Sequence, residues 1–203
     1  VSPSAAGADA RGGPVPRATW YCVDIECSGP VPGWYDMISL GVVCVRERGD
    51  DVVIGEDEYV EIRPEAPHVD PGAMKVNGLD LERLRREGLP LGVALDRLTA
   101  FVERTLEPGT KPVFVGHNAP FDWSFVAFAY HTTGRKNPFG YKALDTKALA
   151  MGTLGLHWFD TDKEHLQSLL ALPPQDPTQV HRADYDARYQ AGILRGLLLR
   201  QRS

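Results

Sequence analysis

Asp24 and Glu26 stand two residues apart inside an apolar stretch, residues 20–26. In an extended strand, side chains at i and i+2 share a face, so both carboxylates project together. Like charges that close repel, and on a half-buried strand they require a compensating cation. A lone Asp-x-Glu more often marks a strand whose acids face water, so the pair gains meaning only from its company. Asp122 lies in VGHNAPFDWSFVAFAY, a helical segment with little polar surface. Val126 and Ala129 follow it at i+4 and i+7, on one stripe that turns the acid toward the core. The alternative is an acid near the helix N-terminus, held by the macrodipole and partly solvated. In the last helical segment, at 100° per residue, Asp186 falls within about 20° of Ile193 and Leu197. Asp184 falls within about 20° of Arg195 on the same wheel and reads as the ordinary solvated acid. Asp186 needs another reason to face inward. His181 precedes it by five residues, in a loop able to aim it at the same place.

Inward acids from separate elements are hard oxygen donors, suited to Mg²⁺ or Mn²⁺. Two such ions about 4 Å apart stabilise the attacking and leaving oxygens in phosphodiester hydrolysis. A histidine, which titrates near neutrality, can take the proton of the attacking water. The chemistry in prospect is metal-dependent cleavage of a phosphate ester.

Such side chains need a frame. Strand patterns cover residues 20–26, 37–45, 58–62, 113–115 and 142–144, with Pro64 closing the third. Helical patterns cover 71–77 (closing at Gly78), 91–106, 120–130, 146–151, 165–170 and 182–199. Three strands in succession, followed by alternating helices and strands, predict an α/β domain: a mixed five-stranded sheet flanked by helices. A length of 203 residues fits one such domain, expected over residues 18–203. Residues 1–17, rich in Ala, Gly, Pro and Ser, are expected to form a disordered tail. The apolar fraction of 43% and charged fraction of 24% are ordinary for a soluble protein. No membrane-spanning run and no secretory signal can be read, which predicts a cytoplasmic protein that does not engage membranes. The three cysteines lack metal-binding spacing and are expected to be free thiols. A net charge of −5 argues against an extensive grip on duplex nucleic acid, yet leaves room for a small site where metal ions carry the positive charge.

The blocks VDIECSGP, VGHNAPFDWSFV and HRADYDARYQA, in that order, resemble the DEDDh exonuclease superfamily, which includes RNase T, oligoribonuclease and bacterial proofreading subunits. The H-x4-D spacing of the last block separates this branch from the tyrosine-containing one. KVNGL and ALDTKALA resemble auxiliary segments, and the likeness spans roughly residues 19–200. It implies an RNase H-like fold and 3′→5′ removal of nucleotides from a single-stranded end, RNA being slightly favoured over DNA. It also implies two divalent ions, Mg²⁺ or Mn²⁺, and a homodimer. By this resemblance Asp24 bridges both ions, Glu26 and Asp186 hold the ion that activates water, Asp122 reaches the second, and His181 is the general base. Asn118 and Phe121 are implied substrate contacts, as are the backbone around Ile25 and Cys27 and the side chain of Leu79. Cys27-Ser28 departs from the threonines often found there. The loop Gly29–Met37 looks like an insertion, in which Trp34 and Tyr35 are expected to pack against the loop's prolines rather than stack on a base. A catalytically silent nucleic-acid-binding module and a metal-dependent nucleotidase are the competing readings.

Overall fold

The computed structural model describes residues 17–202. Most of the expected tail lies outside the described residues, and Arg17, assigned to that tail, is instead the first residue of a strand. The strands are β1 (Arg17–Cys27), β2 (Met37–Arg48), β3 (Asp51–Glu61), β4 (Thr110–Gly116) and β5 (Ala143–Asp145). The helices are α1 (Pro71–Asn77), α2 (Leu81–Glu87), α3 (Leu91–Thr105), α4 (Ala119–Thr132), α5 (Thr146–Leu154), α6 (Lys163–Leu169) and α7 (Ala183–Arg200), with a 3₁₀ turn at Trp158–Asp160. Among the described residues no helix is long and apolar enough to cross a membrane.

The sheet order is β3-β2-β1-β4-β5. β1, β2 and β3 pair antiparallel, while β4 and β5 add on in parallel. The expected mixed five-stranded sheet is therefore present. β2 is buried from Met37 to Val45 because helices cover both faces of the sheet. On one face Tyr21, Val23 and Ile25 of β1 pack with Leu95, Leu98 and Phe101 of α3 and Val126 of α4. On the other, Cys22 packs with Ala187, Ala191 and Leu194 of α7. Alternation along β1 thus sends Asp24 and Glu26 to the α7 side.

Two backbone features create the site. β1 pairs with β4 only as far as Cys22↔Val115, so its last residues run on without a β4 partner while β2 still holds the opposite edge through Cys27. Gly41 sits directly across from Asp24. A Cβ there would lie 2.6 Å from the Asp184 backbone nitrogen, and closer still to the Ala183 carbonyl. Only a glycine lets the start of α7 descend onto the sheet beside Asp24.

Two differences from the sequence reading have local causes. β3 begins at Asp51, not residue 58, because β2 and β3 form a hairpin whose exposed edge carries Asp51, Glu56 and Asp57 and blurs the apolar alternation. α2 escaped notice because LERLRRE buries only Leu84, and its capping Asp80 is its clearest signal.

Gly41→Ala should destabilise the protein by about 1–3 kcal/mol or more, since backbone cannot yield as a side chain does. A thermal melt checks this; an unchanged midpoint would show that α7 does not depend on the close approach.

Candidate active site

Asp24 and Glu26 reach the α7 side from the free end of β1. The Asp24 carboxylate accepts the Gln190 side-chain amide at 2.5 Å. The carbonyl oxygen of Gln190 accepts the His117 backbone N–H at 3.2 Å. Gln190 is buried and so ties α7 to both β1 and the end of β4. Where β1 lacks a β4 partner, the Ile25 N–H donates to Asp122 Oδ1 at 3.1 Å. Asp122, in the first turn of α4, is 5% exposed.

Asp186 is 3% exposed, as the helical wheel predicts for the buried side of α7. Its Oδ2 accepts the His181 backbone N–H at 2.7 Å, and its Oδ1 pairs with the Lys163 ammonium. His181 adopts φ 65°, a left-handed turn that leaves its ring exposed at the mouth of the cluster. Glu26, His181 and Asp186 each present a donor atom, all within 4.8 Å of one another.

Crowding shows in the acidities. Burial first, then the Asp122 carboxylate, pushes the Asp24 carboxyl well above its usual range, with Lys163 pulling the other way. Burial, then Asp186 and Asp122, raises Glu26 to about 8. Burial raises Asp122 as well, against the stabilising Ile25 N–H. Burial alone would lower Lys163, but the Asp24 and Asp186 carboxylates more than offset it. His117 is driven down to about 3 by burial and by the ammonium groups of Lys163 and Lys147, and its Nδ1 lies 2.9 Å from the Thr146 hydroxyl. It is a neutral ring at working pH.

The residues expected to touch substrate lie on two flanks. On one, the Cys27 carbonyl accepts the Asn77 amide at 3.1 Å, and the half-buried Leu79 donates its N–H to Asn77 Oδ1 at 3.0 Å. On the other, Asn118 (φ 67°) and Phe121 lead into Asp122, with the Asn118 N–H held by Asp145 at 3.1 Å and Phe121 packed on Phe125. The Ile25 amide is already engaged by Asp122.

Two expectations are corrected. Asp184 is not freely solvated: Oδ2 pairs with Arg182, while Oδ1 is enclosed with no hydrogen-bond partner among the described residues. Trp34 stacks on His68, outside its own loop, at 3.7 Å and 6°, while Tyr35 lies over Gly29 and forms a bridge with Pro32 as expected. The sequence reading missed Gln190, Lys163 and His117. Gln190 sits one turn beyond Asp186 on the same buried stripe. Lys163 opens a helix, where a cation opposes the dipole, and both positions carried a signal. The three cysteines are buried and free.

The donor set suits a hard divalent cation: buried or half-buried carboxylates outnumber the single ammonium among them, and negative charge is left uncompensated.

A family model described as Exonuclease, of RNase T type, matches residues 21–194. The 3′-5′ DNA exonuclease Cap18 of Escherichia coli is 34% identical over 179 residues, covering 88% of this chain and 91% of the relative. Ribonuclease T of Haemophilus influenzae strain PittEE is 32% identical, covering 84% and 75%. The nuclease domain of 3'hExo, a DEDDh family member bound to rAMP, superposes with a TM-score of 0.71 at 14% identity, covering 89% of this chain and 91% of that one. The zinc-bound ExoI–ssDNA complex of E. coli gives 0.65 at 18% identity, and this chain spans 92% of itself and 41% of ExoI. The two structural likenesses are ones of fold. The chain belongs to the exonuclease family of RNase T type.

Raised carboxyls fix the sign of a pH effect. The folded protein keeps protons that the unfolded chain releases from about pH 4 upward, so stability falls as pH rises toward the Glu26 value of about 8. With a chelator present, the melting midpoint should be higher near about pH 5 than near about pH 8.5, and divalent ions should flatten that slope. A chelated midpoint that rises over this range would contradict the assigned crowding.

Proposed function

We propose that this exonuclease releases nucleotides from the 3′ end of single-stranded nucleic acid, with DNA the foremost substrate, using Asp24, Glu26, Asp122, Asp186 and His181. The observation that carries the reading is the meeting of acids from β1, α4 and α7 at the one place where β1 has no β4 partner. DNA moves ahead of RNA, which the sequence reading slightly favoured, because the relative at 34% identity, covering nearly its full length, acts on DNA. The likeness to ribonuclease T keeps RNA 3′ ends as the second substrate.

Asp24, Glu26, Asp122 and Asp186 would hold two divalent ions, Mg²⁺ or Mn²⁺, since every donor is a hard oxygen. When bound, such ions polarise the phosphodiester and lower the acidity barrier of water. The chain's own side chains do the rest. His181, exposed at the mouth with its backbone pinned to Asp186, takes the proton of the attacking water and passes it to solvent. Gln190 keeps the Asp24 carboxylate turned toward the cluster. Asn118 and Phe121 on one flank, and Leu79 with the Ile25–Cys27 backbone on the other, border the space for the terminal nucleotide. Residues 17–202 form the catalytic domain in this reading. Free thiols in all three cysteines support a cytoplasmic setting, where disulfides do not persist. The homodimer implied by the ribonuclease T likeness belongs to the same reading, and the mass in solution by light scattering tests it.

Matched DNA and RNA oligonucleotides, labelled at the 5′ end and incubated with Mg²⁺ or Mn²⁺, should shorten progressively from the 3′ end, single-stranded DNA fastest. Hydrolysis of mononucleotides alone would favour a nucleotidase, and chelator-resistant binding without product a silent binding module. His181→Ala should lower turnover by about 10²–10⁴-fold with divalent-ion affinity nearly unchanged. Equal turnover would remove His181 from the reaction. Asp24→Ala should abolish activity while the chelated protein melts no lower than wild type; a large loss of stability would give Asp24 a structural role instead.

A further inference from the structure

Lys163 is a mostly buried cation that none of these roles uses. The fold delivers it with some rigour. Leu166 of α6 is fully buried with Tyr189, Ile193 and Leu197 of α7, and the Tyr189 hydroxyl donates to Gln167 at 3.2 Å. The buried Thr161 closes the preceding turn through a 2.6 Å bond to the Trp158 carbonyl. Lys163 is the first residue of α6, a position that disfavours a cation, yet its side chain is only 21% exposed and its ammonium rests on Asp186.

Both oxygens of Asp186 are engaged, Oδ2 by the His181 backbone amide and Oδ1 by Lys163. Each oxygen keeps a second lone pair, but a divalent ion on Oδ1 would lie a few ångströms from the Lys163 ammonium, and repulsion between the two cations favours release of the lysine. The amide is fixed by the His181 turn, whereas the lysine swings on a flexible four-carbon stem. We propose that Lys163 is a tethered counter-ion that a divalent cation displaces from Oδ1 of Asp186, so that it steadies the carboxylate cluster and at the same time limits metal affinity. The inference rests on Asp186 being a metal ligand. Lys163 is thereby a positioning residue: it sets where the carboxylates lie and how readily they accept an ion.

Manganese titration calorimetry on the folded full chain tests this with Lys163→Met and Lys163→Arg. Lys163→Met should bind Mn²⁺ at least about tenfold more tightly, because a unit positive charge leaves the donor set. Its melting midpoint in chelator should fall. Lys163→Arg, which keeps the charge, should stay near wild type in both. Unchanged or weaker Mn²⁺ binding by Lys163→Met would overturn the proposal. If wild type itself binds no Mn²⁺, the metal reading of Asp186 fails, which is a separate result. Should Lys163→Met not fold, the wild-type protein still decides. The ¹⁵Nζ resonance of the buried ammonium, identified by its loss in Lys163→Arg, should shift when Mg²⁺ saturates the site. A resonance unmoved at saturation overturns the proposal.

Discussion

Burial and the neighbouring Asp122 and Asp186 carboxylates make the Asp24 and Glu26 carboxyls weaker acids than usual, and the packed fold holds the four acids together against that cost. Everything else in the molecule can be understood as the means of sustaining that arrangement. β4 turns away after Val115, which frees the end of β1 for side-chain partners. Gly41 admits the start of α7 to the sheet. Asp122 and Gln190 then occupy the backbone and side-chain bonding positions that a longer β4 would have covered. The hydrophobic clusters on both faces of the sheet supply the rigidity, since buried apolar contact is the main force able to hold like charges together.

Such a site is poised for cations. Hydrogen bonds from the Ile25 and His181 amides stabilise individual carboxylates, and Lys163 neutralises part of the charge. The remainder still favours protonation, as the Glu26 carboxyl, pushed up to about 8, records. A net charge of −5 for the whole chain fits this design. In the proposed reading, attraction for phosphate would be concentrated in ions at one site instead of being spread over a basic surface.

Much of this was legible in the sequence, because the two periodicities that place a side chain are local. A two-residue spacing put Asp24 and Glu26 on one face, and a helical wheel put Asp186 inward. The order of strands and helices, α2 apart, was read correctly for the same reason. What sequence spacing could not convey was contact between elements remote in the chain. Lys163 meets Asp186 only because α6 packs on α7, and Gln190 meets Asp24 across 166 residues. Asp184 was misjudged because spacing puts it on a polar helical face, whereas the folded chain encloses its Oδ1, a tertiary fact. Trp34 was misjudged likewise: its partner, His68, comes from a distant loop.

The most direct measurement is anomalous diffraction from crystals soaked in Mn²⁺ with a short DNA strand bound. The account predicts two peaks per chain, one shared by Asp24, Glu26 and Asp186 and the other by Asp24 and Asp122, with the 3′-terminal phosphodiester between them. Full-occupancy strand density with no manganese at these carboxylates, or with manganese bound elsewhere, would contradict it.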